Sequence, residues 1–294
     1  MPDQKKISKV TIPHLLAKKR QGHKITMLTA YDFPTAQLED QAGIDIVFVG
    51  DSVGINILGY RTPQEVTMDD MLHHTRAVRR GVQRAFLLAD MPFLSYQPSV
   101  EMALINAGRL VQEAGAEGVK LEGGHAVKTQ VERIVKAGIP VMGHLGFTPQ
   151  SRAHEQYLHS DRRGTVVKVQ GKGPLGAKAL IDEARLLEDA GVFGLVLEEV
   201  TEEAAQSVAE RLAIPVIGIG AGRFCDGQVL IFNDLVGLSS LDLRLAKSYA
   251  TLRGDLLEIF QTYRQEVEQG LFPSAENALH MEPAKLRKLQ ELLK

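Results

Sequence analysis

The sequence predicts a (β/α)8 barrel, the TIM-barrel class, on three observations. Eight short apolar runs recur along the chain, and amphipathic stretches separate most of them. The runs are nearly continuous rather than alternating, which marks strands covered on both faces, as in parallel sheets. Eight such strands alternating with helices match the eightfold closure of a barrel better than an open doubly wound sheet.

In chain order the strand runs are ITMLTA (25–30), DIVFVG (45–50), AFLLAD (85–90), GVKLE (118–122), IPVMGH (139–144), FGLVLE (193–198), IPVIGIG (214–220) and QVLIF (228–232). Helices are expected at 34–43, 67–82, 99–115, 126–137, 176–190 and 202–212. The second begins with Thr67 and early acids, and the third with Ser99, as helix N-termini favour. Ala-Gly pairs at 42–43, 114–115, 137–138 and 190–191 read as C-caps before the next strand. The Gly-rich GIGAG (218–222) lacks dinucleotide spacing and reads first as a tight barrel turn, with close ligand approach as the alternative. Residues 240–294 read as a mostly helical C-terminal extension of a single domain spanning 1–294. Leu286, Leu289 and Leu293 share a helical face there, which is expected to pack on its own barrel; a subunit contact is the rival reading.

Composition narrows the function classes. Among 294 residues, 34 Lys+Arg against 36 Asp+Glu give a formal charge of −2, without the basic surplus of a nucleic-acid-binding domain. Hydrophobic residues at 44% and charged residues at 24% are globular proportions. The lone Cys225 cannot form an internal disulfide or a thiolate cluster. The basic N-terminus has no apolar core for a signal peptide, and no stretch approaches a membrane span. A soluble cytoplasmic protein is expected, with small-molecule partners and neither nucleic acid nor membrane.

Chemistry-bearing residues end the strand runs. Asp32, Asp51 with Ser52, Asp90, Lys120 with Glu122, His144 and Glu198 follow one another in this way. In a barrel these ends converge on one mouth, where active sites lie. Any single acid reads equally as a helix cap; the series does not. Asp51, Asp90 and Glu122 would repel one another in a cleft, and a hard divalent cation, Mg²⁺ before Zn²⁺, resolves that conflict. Lys120 and Glu122 share one strand face. Lys120 can form a Schiff base, pair with an anionic substrate or make a structural salt bridge, and the adjacent cation site favours the substrate pair. Glu198 is a candidate base whose pKa burial would raise. His144 can orient a substrate oxygen, relay a proton or be a satisfied core histidine.

The segments TAYD (29–32), VGDSVG (49–54), LLADMPF (87–93), VKLEGG (119–124), GHLGFTPQS (143–151), LVLEEV (195–200) and IGIGAGRFCDGQVLI (217–231) together resemble the ketopantoate hydroxymethyltransferase family over roughly residues 8–273. The resemblance implies a (β/α)8 barrel and a Mg²⁺-dependent transfer of a hydroxymethyl group from 5,10-methylenetetrahydrofolate to 3-methyl-2-oxobutanoate, giving 2-dehydropantoate. By motif it implies Asp51 as metal and substrate contact and Ser52 as oxo-acid contact. Asp90 would hold the metal-bound substrate, Lys120 would contact substrate, and Glu122 would complete the metal environment. Glu198 would be the proton acceptor, with His144 in the pocket. It also implies a homo-oligomer, commonly a decamer of two pentameric rings. The interval at 152–168 is longer and richer in Arg and His than the family's usual Gly-rich stretch, and GYRTPQEVT (59–67) replaces an S/T-rich turn. A paralogue acting on a different 2-oxo acid, as hydroxymethyltransferase, aldolase or lyase, is the alternative.

Overall fold

Eight parallel strands close on themselves in sequence order: β1 (Ile25–Thr29), β2 (Ile46–Val49), β3 (Phe86–Asp90), β4 (Gly118–Glu122), β5 (Val141–Gly146), β6 (Gly194–Glu198), β7 (Val216–Ile219) and β8 (Gly227–Leu230). β1 pairs with both β2 and β8, which completes the barrel. The computed structural model describes residues 8–151, 169–239 and 246–294; the unusual interval at 152–168 lies outside them. The helices are α1 (Ile12–Arg20), α2 (Phe33–Ala42), α3 (Met68–Gly81), α4 (Val100–Gln112), α5 (Lys128–Lys136), α6 (Pro174–Asp189), α7 (Glu202–Arg211), the single turn α8 (Phe232–Leu235), α9 (Leu252–Glu268) and α10 (Pro283–Leu292). Thr67 and Ser99 cap α3 and α4 through their side chains, as their positions predict.

The period of two along each strand sorts the residues. One set faces the surrounding helices and forms the larger core, including Val47, Leu87, Val119 and Leu195. The other fills the barrel with Ile25, Met27, Ile46, Phe48, Phe86, Leu88, Met142, Val196 and Ile217. Continuing that inner set upward leads from Phe86 and Leu88 to Asp90, from Met142 to His144, and from Val196 to Glu198. The polar mouth is therefore the top layer of the same stack.

The opposite end is closed by α1, which is absent from the helices the sequence predicts. Leu15 of α1 and the preceding Val10 join the inner core. Lys9 pairs with Glu117, Lys18 with Asp45 and Lys19 with Asp226, each at 2.6 Å. Those acids precede β4, β2 and β8, so the pairs tie the plug to the strand starts.

GIGAG turns directly into β8: the link from β7 to β8 carries no helix, and Gly220 and Gly222 take positive φ. The C-terminal extension is helical, but the expectation that it packs on its own barrel fails. No residue of α9 or α10 is buried, and Leu286, Leu289 and Leu293 stay exposed. Among the described residues no helix is long and apolar enough to cross a membrane.

Candidate active site

Strand register builds the site. Asp90 lies beside Lys120 across β3 and β4, Glu122 beside His144 across β4 and β5, and Glu198 beside Gly146 across β5 and β6. Asp51 and Ser52 follow β2 on a turn. Thus six of the predicted residues reach the mouth from neighbouring strands, with Ser52 at its edge. Asp32 does not join them: its carboxylate accepts from the Thr35 N–H at 2.8 Å and caps α2. The cap reading fails for Asp51, whose Oδ2 accepts from Gln150 Nε2 at 2.9 Å.

Lys120 Nζ pairs with Asp90 Oδ1 at 2.7 Å, both side chains being buried. Burial opposes the ammonium, but Asp90 and then Asp51 outweigh it and raise the Lys120 pKa. An ammonium held this firmly is a poor Schiff-base nucleophile, and its partner here is Asp90, the structural salt-bridge reading. It also lies 5.1 Å from the centre of the Phe48 ring. Burial holds the Asp90 carboxyl well above the usual range against the pull of Lys120, with Asp51 adding to the rise. Glu122 is likewise raised, by burial first, and Glu198 is pushed up to about 8 for the same leading reason. The Glu198 side chain nevertheless keeps 24% exposure, so a substrate can reach it.

His144 is buried, and burial, then Lys120, lowers its pKa to about 3. It is therefore neutral. Its Nδ1 faces Lys120 Nζ at 3.4 Å, an obligate donor, which assigns the ring proton to Nε2. Nε2 in turn lies 3.2 Å from Glu198 Oε2, outside hydrogen-bonding geometry, and among the described residues it has no hydrogen-bond partner. Gly146 lets β5 and β6 close beneath this contact: it takes φ +97°, and a Cβ there would stand 2.2 Å from the Glu198 carbonyl oxygen. The Phe147 N–H donates to that oxygen at 2.7 Å. Glu199 is turned away by a left-handed backbone, φ +50°.

The structure adds residues that the motif reading left without roles. Tyr31 Oη and Ser52 Oγ share a hydrogen bond of 2.7 Å. Gln150 and Ser151 reach Asp51 and Glu122. TPQS follows β5 directly, and that placement is the signal that could have found them.

The donor chemistry suits a hard cation. Asp51 and Asp90 are joined by the Asp51 N–H, which donates to Asp90 Oδ2 at 3.1 Å. Several buried carboxyls resist ionisation together, and all the carboxylate donors are oxygen. Among the described residues no three His, Cys, Asp or Glu side chains converge closely enough to hold an ion unaided. One or two carboxylates completed by substrate oxygens and water is the usual Mg²⁺ arrangement.

Comparison with known proteins agrees with this geometry. The family model described as ketopantoate hydroxymethyltransferase matches residues 9–275. A 3-methyl-2-oxobutanoate hydroxymethyltransferase of Pseudothermotoga lettingae is 52% identical over 263 residues, covering 88% of this chain and 96% of that protein. One from a Thermoanaerobacter species is 46% identical over 280 residues, covering 95% and 98%. Among solved structures, 2,3-dimethylmalate lyase superposes with a TM-score of 0.56 at 15% identity, covering 96% of each chain. Phosphonopyruvate hydrolase with oxalate and Mg²⁺ gives 0.57 at 13%, covering 96% and 95%. These two likenesses speak to the fold alone. The family match over most of the chain, on a barrel whose mouth gathers the family's motif residues, shows that this chain belongs to the ketopantoate hydroxymethyltransferase family.

Proposed function

We propose that this chain transfers a hydroxymethyl group from 5,10-methylenetetrahydrofolate to 3-methyl-2-oxobutanoate, giving 2-dehydropantoate and tetrahydrofolate. The relatives' names support the reaction. The observation that carries the mechanism is Glu198: a carboxyl lifted to about 8 by burial, reachable at the mouth and set against His144 Nε2. Such a group accepts a carbon-bound proton when ionised.

Glu198 takes the C3 proton of the oxo acid, and the resulting enolate carbon attacks the one-carbon unit. A C–C bond forms, the carbon's bonds to folate nitrogen break, and one water supplies the product hydroxyl. Asp51 and Asp90, with Glu122 completing the surroundings, would hold Mg²⁺, which would supply Lewis-acid polarisation of the oxo acid when bound. Lys120 offsets the substrate's negative charge from beneath. Ser52, held by Tyr31, contacts the oxo acid. His144, neutral and beside the Glu198 carboxylate, does not compete for the proton.

The whole chain acts in this reading as one cytoplasmic barrel domain within a homo-oligomer, a decamer by resemblance. The unburied apolar side chains Leu257, Phe260 and Tyr263 of α9 support self-association. Its partners are the oxo acid and folate. Purified protein with Mg²⁺ and both substrates should form 2-dehydropantoate; absence of turnover under those conditions overturns the proposal.

A further inference from the structure

Gln150 and Ser151 are adjacent in the helical turn that begins at Pro149 after β5, and each reaches a different carboxylate of the site. Gln150 is 1% exposed. Its Nε2 donates to Asp51 Oδ2 at 2.9 Å and to the Met91 carbonyl at 3.0 Å. Its Oε1 accepts from Tyr96 Oη at 2.8 Å and Gln97 Nε2 at 3.3 Å. Both partners of Nε2 accept only, so turning the amide over would set oxygen against oxygen twice. The amide orientation is therefore fixed, and all four of its bonds are made. Ser151 donates its N–H at 2.8 Å and its Oγ–H at 2.9 Å to the same oxygen, Glu122 Oε1. Tyr96 links the two halves, because its Oη also accepts from the Glu122 N–H at 3.3 Å.

Asp51 needs such a hold. It stands on a turn after β2 rather than on a strand, and it is half-buried. Strand register sets Asp90 and Glu198; nothing comparable sets the Asp51 carboxylate. We propose that Gln150 and Ser151 are positioning residues. They fix the Asp51 and Glu122 carboxylates in the orientation that receives a divalent cation together with the 2-oxo acid, an inference that rests on the cation chemistry proposed above. The Gln150 amide has all its bonds taken within the protein. It acts through Asp51, as outer hydrogen-bond partners of metal-binding carboxylates do.

The test uses the full chain and Mn²⁺ as probe. Free Mn²⁺ is titrated by electron paramagnetic resonance, with 3-methyl-2-oxobutanoate present, for wild type, Gln150→Met and Ser151→Ala. Gln150→Met keeps the bulk and removes the donor, so Mn²⁺ should bind about 10–100-fold more weakly. The Mg²⁺ concentration for half-maximal turnover should rise by a similar factor, while kcat at saturating Mg²⁺ stays within about threefold of wild type, because the reacting groups themselves are intact. Ser151→Ala loses one bond of two to Glu122 and should weaken Mn²⁺ about two- to tenfold. Gln150→Met with wild-type Mn²⁺ affinity overturns the inference, even if its melting temperature falls, since that pattern marks a purely structural residue. Should Gln150→Met fail to fold, Ser151→Ala decides, because its side chain is exposed; unchanged Mn²⁺ affinity there overturns the inference. Wild-type protein that turns over without binding Mn²⁺ or needing Mg²⁺ overturns the cation reading and this inference with it. Wild-type binding matched by the variants overturns this inference alone.

Discussion

Glu198→Gln tests the centre of the proposed chemistry. The substitution keeps the side chain's length and its place 3.2 Å from His144 Nε2, and removes the oxygen that takes the proton. Burial, opposed by Lys120 and aided by Asp51, lifts the Glu198 carboxyl to about 8. At pH 7 about a tenth of the protein then carries the ionised base. Only that form removes the C3 proton, so deuterium exchange at C3 of 3-methyl-2-oxobutanoate rises with pH. The ionised fraction therefore climbs as pH rises toward and past the raised value, the exchange rate climbs with it, and it levels off once the carboxylate is fully ionised. A cation bound beside Asp51 moves the midpoint down without changing the direction. A positioned general base is worth about 10²–10⁴ in rate, so Glu198→Gln should lose that much, about 3–5 kcal/mol of barrier. Oxo-acid affinity should stay within about threefold, because the removed group acts in the transition state. Proton NMR of substrate in deuterated buffer with Mg²⁺ reads the exchange, and calorimetry reads the binding. A variant that exchanges within about tenfold of wild type removes Glu198 as the base. So does a wild-type rate that falls as pH rises.

Two other groups give separate predictions. Glu39 on α2 is 5% exposed, neither of its carboxylate oxygens has a hydrogen-bond partner among the described residues, and burial, then Asp32, raises it to about 8. The native state therefore holds a proton that the unfolded chain releases, and stability is lost as pH rises from the ordinary carboxylate range towards 8. At pH 7 this costs on the order of 3 kcal/mol, so Glu39→Gln should raise Tm by several degrees, with a gain that grows between pH 5 and 8 in scanning calorimetry. A gain that is flat with pH would contradict the assignment. Lys120→Met leaves Asp90 buried beside Asp51 without its cation, which destabilises by about 3–5 kcal/mol. Thermal melts should show a lower Tm at pH 8 that Mg²⁺ restores in part; equal protection of variant and wild type by Mg²⁺ would refute that account.

The barrel was legible in the sequence because strands buried on both faces become continuous apolar runs. All eight runs appear as strands, shifted by at most two residues at most of their ends. The mouth was legible for the same reason: an apolar run that ends in an acid marks the level at which the stack turns polar. Other features depend on partners far away in sequence. α1 buries only Leu15 among its own residues, and its lysines answer to Asp45 and Asp226, which stand just before strands distant in sequence. The π-helical turn at Gly54–Leu58 follows no apolar period. Gln150 meets Asp51 across 99 residues, and no local spacing announces it. The leucines at 286, 289 and 293 have helical periodicity, but periodicity does not say which surface, if any, the face will cover.

The plug formed by α1 covers the lower end of the packed barrel with Leu15 and three lysine–carboxylate pairs. Among the described residues, the polar layer at the other end is the doorway. Asp90, Lys120 and His144 lie at the floor of that doorway, and Glu198 stands nearer its rim. A small molecule seated on the floor is trapped beneath a large one bound above it. Under the proposed reaction, an oxo acid on that floor enters before the larger folate bound above it, and the new acid leaves after the spent carrier has gone.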